Sequence, residues 1–254
     1  MMQDTAIRIA SYAELFAQRG SAYDRAMQKY PHGRDAEFLQ LLEPLDLKAG
    51  MRVGDVPAGG GYLRWYLPDG CIWEGHEPCA TFTNHGARED DPASRPLLPL
   101  PWQDASLDCV VSLAGVHHID DKSELWREIR RVLKPGGRLI LSDVSEGSSQ
   151  ALFLDGFVGD YNSTGHEGSF LNPATLDELA ACGFQVLDAR QNNFHWQFDD
   201  RKQMADFAGG LFDVCKATPE QIAEAIEREL GVDELADGRV GMNWGLMTIT
   251  CETA

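Results

Sequence analysis

The chain has no paired cysteines. Its six, Cys71, Cys79, Cys109, Cys182, Cys215 and Cys251, are scattered without a C-x-x-C spacing and sit mostly in apolar runs, so they read as small core residues in a reducing compartment. Long hydrophobic runs are missing too. No stretch of 18 apolar residues occurs, and the opening MMQDTAIRIASYAE contains no uninterrupted apolar segment of the kind a signal peptide needs. Neither a membrane span nor a leader is expected, and a cytoplasmic location is. Basic residues are scarce: 22 Lys and Arg face 40 Asp and Glu, a formal net charge of −18. That balance disfavours nucleic acid or an anionic membrane as partner and is ordinary for a solvated surface. Repeats and low-complexity tracts are absent as well.

What is present is enough for one domain: 254 residues, 43% hydrophobic. The organising stretch is Met51–Tyr62, where an apolar β-type run, Met51 to Val56, breaks into Pro57-Ala58-Gly59-Gly60-Gly61 before Tyr62 to Leu67 resume as a short helix. A strand that delivers a side-chain-free loop to a helix start lets backbone N–H groups approach a polar ligand. A bland tight turn would look the same locally. A dinucleotide fingerprint, G-x-G-x-x-G, needs a third glycine where Arg64 stands, which weakens that reading.

The rest of the chain supplies context. Residues 5–48 read as helices, with Tyr23, Met27 and Tyr30 at i, i+4, i+7, a break at Pro31-His32-Gly33 and a further helix through Phe38, Leu39 and Leu42. Cys71 to Gly75 is a second strand. Glu77 follows it, sixteen residues beyond Gly61, where a nucleotide-type βαβ unit accepts hydrogen bonds from a ribose diol. A polar loop, residues 84–99, leads into Leu100-Pro101-Trp102-Gln103-Asp104-Ala105-Ser106-Leu107-Asp108-Cys109-Val110-Val111-Ser112 and then Gly115-Val116-His117-His118. Asp121 is a candidate cap for a helix whose Leu125, Ile129 and Val132 face the sheet. Pro135 ends it, and Gly136-Gly137 turn the chain into the next strand, so Lys134 to Gly137 is a turn device.

These motifs resemble class I S-adenosylmethionine-dependent methyltransferases of the ubiquinone-biosynthesis type. Asp55, Gly59 and Gly61 match motif I, with Pro57 in place of its usual first glycine. Leu100 to Ser112 looks like the L-P-F-x-D-x-S-F-D-x-V-x-S run, and Arg131-Val132-Leu133-Lys134-Pro135-Gly136-Gly137 matches the R-V-L-K-P-G-G signature. The resemblance covers about residues 50–145. It implies an α/β, Rossmann-like, seven-stranded, mostly parallel sheet with one antiparallel strand, helices on both faces, an N-terminal helical lid over residues 1–48 and a substrate lid after strand five. It also implies S-adenosylmethionine as cofactor and a small-molecule acceptor. Asp55, Ala58, Gly59, Gly60 and Gly61 would cradle the methionine portion and Glu77 the ribose. Leu100, Pro101 and Trp102 would form the adenine side, and the stretch from Ser112 through Ala114 to His118 the floor near the sulfur. Relatives often carry an adenine-contacting Asp near Arg95-Pro96-Leu97-Leu98, and no acid stands there.

Tyr23 and Tyr30 are lid candidates by the same resemblance. His117 and His118 lie at the carboxyl edge of the fourth strand, where open α/β sheets bind ligands, or pack beneath the following helix. No metal site is expected of them, because adjacent side chains point apart and no third ligand stands at suitable local spacing. In the segment after Asp143, Asp155, Tyr161, His166 and Glu167 are polar candidates, with His166, alongside His117, as general base because His titrates near neutrality. Gln185 to Phe198 alternates as a strand; Thr218-Pro219-Glu220-Gln221 opens a helix with Ile222, Ile226 and Leu230 on one face; Asn243 to Cys251 is the last strand. The long excursion between these strands reads as part of the lid or as a homodimer surface. Two other functions remain open: an enzyme that cyclises or cleaves the aminobutyryl arm of the cofactor, and a non-catalytic sensor or partner subunit.

Overall fold

The computed structural model describes residues 12–82 and 96–253. Most of the polar loop and the first helical residues expected from position 5 lie outside the described residues. Helices α1 (Tyr12–Lys29) and α2 (Asp35–Leu42) precede β1 (Arg52–Asp55), β2 (Ile72–Gly75) and β3 (Leu107–Leu113). Next come α3 (Ser123–Val132), β4 (Leu133–Asp143), α4 (Ser149–Phe153), α5 (Gly159–Tyr161) and α6 (Pro173–Ala181). The chain ends with β5 (Phe184–Phe198), α7 (Arg201–Leu211), α8 (Pro219–Glu229), β6 (Val232–Glu234) and β7 (Val240–Thr253).

The strands form one sheet in the order β2-β1-β3-β4-β7-β5, with short β6 also paired to β7. β1, β2, β3 and β4 are parallel, and β7 runs against each of its neighbours. This is the mixed seven-stranded sheet expected, with β7 as the reversed strand. β3 reads as a nearly continuous apolar run because both its faces are covered. Cys109 and Val111 belong to one core cluster and Val110 to the other, as do Ile140 against Leu139 and Leu141. The period of two along a strand puts these clusters on opposite faces. One face is covered by α1, α2, α4, α7 and α8, the other by α3 and α6.

Local chemistry sets the boundaries that matter. Asp121, expected to cap α3, stands one residue ahead of the N-cap: it accepts the N–H of Ser123 at 2.9 Å, while the N-cap itself is Lys122, which makes no side-chain cap bond. α3 stops at Val132, short of Pro135, and Gly136 takes the left-handed conformation the turn requires, φ 72°. Asn172 and Thr218 each close a capping box with a proline at the start of their helices. The segment after β4, to which the sequence assigned no element before the helix at Asn172-Pro173, is helical at its start. α4 runs through a π-helical turn, Leu154–Val158, into α5, so residues 149–161 form one continuous helical path. α7 packs along α1, and Asp206 accepts from Lys29 Nζ at 2.7 Å and Tyr30 Oη at 2.8 Å. The long excursion is therefore part of the fold's own wall on the α1 side. Three cysteines, Cys79, Cys109 and Cys251, are buried as expected, whereas Cys215 is exposed.

Candidate functional site

The glycine turn after β1 and the end of β2 meet at one carboxylate. Gly59, in the left-handed conformation at φ 53°, donates its N–H to Glu77 Oε2 at 2.8 Å, and Cys79 N–H donates to Oε1 at 2.8 Å. Tyr12 Oη, reaching over from α1, donates to Oε2 at 3.0 Å. Burial raises the Glu77 carboxyl to about 7 even though these three donors pull it down. Asp55, at the end of β1, accepts from Trp73 Nε1 at 3.1 Å, and burial raises it to about 8. Gly61 turns back at φ 70° and donates to the Ala58 carbonyl. Pro57 packs against Gly115, where a Cβ would lie 2.6 Å from the proline ring, so the departure from the motif at Pro57 is matched by a missing side chain across from it.

Around this turn lies a cavity of about 50 Å³ lined by Asp55, Pro57, Ala58, Gly59, Leu113 and Ala114, among others. A second cavity, about 90 Å³, shares Phe16, Tyr23, Arg34, Leu113 and Ala114 with the first. Its farther wall holds His117, His118, His166, Trp196, Phe212 and Trp244. Ala114, at φ 47°, is where the chain leaves β3 and serves as the shared edge.

The three histidines converge from two distant parts of the chain. His117 and His118 sit on a 3-10 turn, Val116–His118, not on an extended strand, so their rings pack with centroids 4.0 Å apart instead of diverging. His166 comes in from the loop after α5, 5.5 Å from His117 and 5.3 Å from His118 by ring centroids. One nitrogen from each ring lies within 4.8 Å of the other two. This corrects the expectation of no metal-type grouping: the third ligand is 48 or more residues away along the chain, beyond the reach of any local spacing.

Each outer histidine is held by a carboxylate. His117 Nδ1 pairs with Asp143 Oδ1 at 2.6 Å, and Asp143 Oδ2 accepts the N–H groups of Val116 and His117. Burial alone would raise Asp143, but His117 and the backbone donors outweigh it and hold the carboxyl below its ordinary value. His166 Nδ1 pairs with Asp155 Oδ1 at 2.7 Å. Burial lowers His118 well below its ordinary value and also lowers His166, despite Asp155, so both are neutral imidazoles at neutral pH. Arg19 lines the same cavity and is buried. It donates through Nη2 to Thr164 Oγ1 and the Gly165 carbonyl, while its Nε has no partner among the described residues.

Several sequence-derived candidates lie elsewhere. Leu100 and Trp102 pack in the core beneath β1 and β3, Pro101 is exposed, and none of the three lines either cavity. Ser112 is fully buried and its hydroxyl has no partner among the described residues; it too is absent from both linings. Gly60 stands behind the turn, with Tyr62 and Asp24 where its Cβ would be. Tyr30 is not a lid residue: it packs on Phe198 and Phe207 at the outer surface. Tyr161 stacks on Phe157 and its carbonyl accepts from Cys215 and Lys216, away from the cavities. Tyr23 does line both, its hydroxyl accepting from Arg34 Nη1 at 2.7 Å. Sequence reasoning missed Tyr12, Arg19, Arg34 and Asp143. Of these, Asp143 alone had a local signal, an acid closing an apolar strand at the ligand-binding edge.

Residues 77–141 match the family described as "Methyltransferase domain". The chain is 34% identical over 115 residues to 27-O-demethylrifamycin SV methyltransferase of Amycolatopsis mediterranei, covering 41% of this chain and 42% of that protein. It is 31% identical over 100 residues to malonyl-[acyl-carrier protein] O-methyltransferase of a Marinomonas strain, covering 39% and 37%. The chain thus spans about two fifths of the length of these curated relatives. Among solved structures, phosphoethanolamine N-methyltransferase 2 of Haemonchus contortus in complex with S-adenosyl-L-methionine superposes with a TM-score of 0.62 at 16% identity, over 97% of this chain and 60% of that one. At that identity the likeness is one of fold.

Proposed function

We propose that this chain, a class I S-adenosylmethionine-dependent methyltransferase by its fold and its match over residues 77–141, transfers a methyl group to a small-molecule acceptor held in the histidine-lined cavity. The observation that carries this reading is the pair of adjoining cavities sharing Leu113 and Ala114, one lined by Asp55 and the turn from Pro57 to Gly59, the other by an aromatic and histidine wall. The first fits the cofactor's polar end. At Gly59 a Cβ would meet nothing within 4 Å, so the backbone is open to a ligand, and Glu77 offers a carboxylate beside it. When bound, the cofactor supplies an electrophilic methyl on a sulfonium.

What remains for the protein is binding, alignment, exclusion of water and handling of a proton. Glu77, which accepts from Tyr12 Oη, would hold the ribose diol by accepting its hydroxyl hydrogens. Gly59 would meet the methionine end with backbone alone. Phe16 and Tyr23 of α1 cover both cavities and keep water out. His166, oriented by Asp155, and His117, oriented by Asp143, are the groups placed to receive the acceptor's proton. Its place is the cytoplasm, and no helix among the described residues is long and apolar enough to cross a membrane.

Calorimetric titration with S-adenosylmethionine and, separately, S-adenosylhomocysteine tests the reading. Saturable one-to-one binding of either supports it. Folded protein that binds neither would overturn it in favour of the non-catalytic relative.

A further inference from the structure

We infer that His117, His118 and His166 form a binding site for a divalent first-row transition-metal ion whose open coordination positions face the acceptor cavity and take an ionisable oxygen of the acceptor. The metal half of this inference stands on the histidine geometry alone; the acceptor half rests on the methyl-transfer reading above.

Three nitrogens bound to one such ion at about 2.1 Å stand about 3.3 Å apart in a tetrahedral site. The three ring nitrogens here already lie within 4.8 Å of one another, so small rotations of the imidazoles complete the site. The surroundings are those of ligands, not of a chance cluster. Asp143 occupies Nδ1 of His117 and Asp155 occupies Nδ1 of His166, which leaves Nε2 of both rings as the free donor atom. A carboxylate on the far nitrogen is the arrangement that orients metal-bound imidazoles and raises their basicity. Two of three rings have it, from partners 26 and 11 residues away, and the third, His118, is packed edge-on against Tyr12 and Phe16 of α1.

Three neutral imidazoles leave the ion's charge uncompensated, and Arg19, facing the same cavity, adds another positive charge. Asp143 and Asp155 offset part of this from outside the ring of ligands. An anionic ligand inside the cavity offsets the rest, and it is also the partner that the buried Nε of Arg19 lacks among the described residues. The other walls are Trp196, Phe212, Trp244 and Leu246, with the two indoles stacked at 4.4 Å. The acceptor class this describes is an aromatic or otherwise apolar hydroxyl compound. On coordination its O–H proton leaves to solvent; the methyl–sulfur bond then breaks as the methyl–oxygen bond forms, and the metal's oxidation state does not change. With Nδ1 on a carboxylate and Nε2 on the ion, His117 and His166 then take no proton, and loss of the proton promoted by the ion replaces the proton transfer to histidine described above.

The test uses chelator-treated full-length protein titrated with Co2+, followed by visible absorption, with Zn2+ competition by calorimetry. The expected result is one equivalent bound, with the intense d–d bands of a four- or five-coordinate nitrogen-ligated ion, and a spectral change on adding azide that reports an open position. His118→Ala and His166→Ala should each abolish stoichiometric uptake. Asp155→Asn, at a half-exposed outer position, should fold as wild type and weaken affinity about 10–100-fold. Circular dichroism checks that each variant is folded. No Co2+ or Zn2+ uptake by folded wild type, or uptake unchanged in both histidine variants, overturns the metal site. S-adenosylhomocysteine binding measured on the metal-free protein separates the two ideas: binding there without metal uptake ends this inference and leaves methyl transfer intact.

Discussion

Glu77 receives more donors than any solvated strand-end acid would: two backbone N–H groups and a tyrosine hydroxyl converge on it at 2.8 to 3.0 Å. It nonetheless titrates near 7, because burial outweighs those bonds. Two pH effects follow, of opposite sign. The unfolded carboxyl loses its proton near 4.5 and the folded one near 7, so the folded state binds the extra proton between them and this group's contribution to stability falls as pH rises through that window. Binding runs the other way. A ribose diol donates to the ionised form, so S-adenosylhomocysteine affinity should rise from pH 6 to 8, and Glu77→Gln should remove the step near 7. Glu77→Ala should weaken binding by ~1.5–3 kcal/mol, about 10–150-fold in Kd. Unchanged affinity in a folded Glu77→Ala protein would take this residue out of the site.

At the scale of elements, the site depends on how α1 and α2 are fastened to the far end of the sheet. Arg34, at the start of α2, pairs with Glu37 through two bonds of 2.8 and 2.6 Å and donates to Tyr23 on α1. Glu37 also accepts from Trp196 Nε1 on β5 at 2.7 Å, and all of it is out of water. Removing one charge strands the other. Glu37→Leu should therefore destabilise the fold by about 3–5 kcal/mol, read as a lower urea midpoint, and replacing Arg34 as well should recover part of the loss. A double variant no better than the single one would show that the bonds to Tyr23 and Trp196, not the stranded charge, dominate. None of this knot was legible in the sequence, since Glu37 and Trp196 are 159 residues apart. The strands other than β6, the β4 turn and the Thr218 box were legible, because each is decided by neighbours within a few positions. The helical path over residues 149–161 was obscured by Gly156 and Gly159, which lower helix propensity without forbidding a π-helical turn packed against the core. For the same reason half of the candidate site could be read ahead of the structure. The glycine turn and Glu77 belong to one β1–β2 connection with only the 3-10 turn Tyr62–Trp65 between the strands, while the histidine cluster needs the loop after α5 to return across the carboxyl edge of the sheet.

For the whole molecule, the two cavities lie between α1 and the sheet edge, so a ligand that fills them joins parts of the chain that are distant in sequence. Tyr12 and Phe16 come from α1, Asp55 and Gly59 from the end of β1 and the turn after it, His118 from the 3-10 turn after β3 and His166 from the loop after α5. A ligand that binds the folded form only stabilises it by RT ln(1 + [L]/Kd), about 2.7 kcal/mol at a hundred times Kd. For a chain of this size each kcal/mol raises the melting temperature by roughly 2–4 °C. Saturating S-adenosylhomocysteine should therefore raise Tm by about 5–10 °C, and Glu77→Ala should show a smaller rise at the same concentration. Amide exchange measured alongside should show new protection in α1 and in the turn at Gly59 to Gly61 together. Protection confined to the turn would mean that α1 does not close over the ligand, and the role given to Phe16 and Tyr23 in excluding water would then fall, even with the cofactor bound.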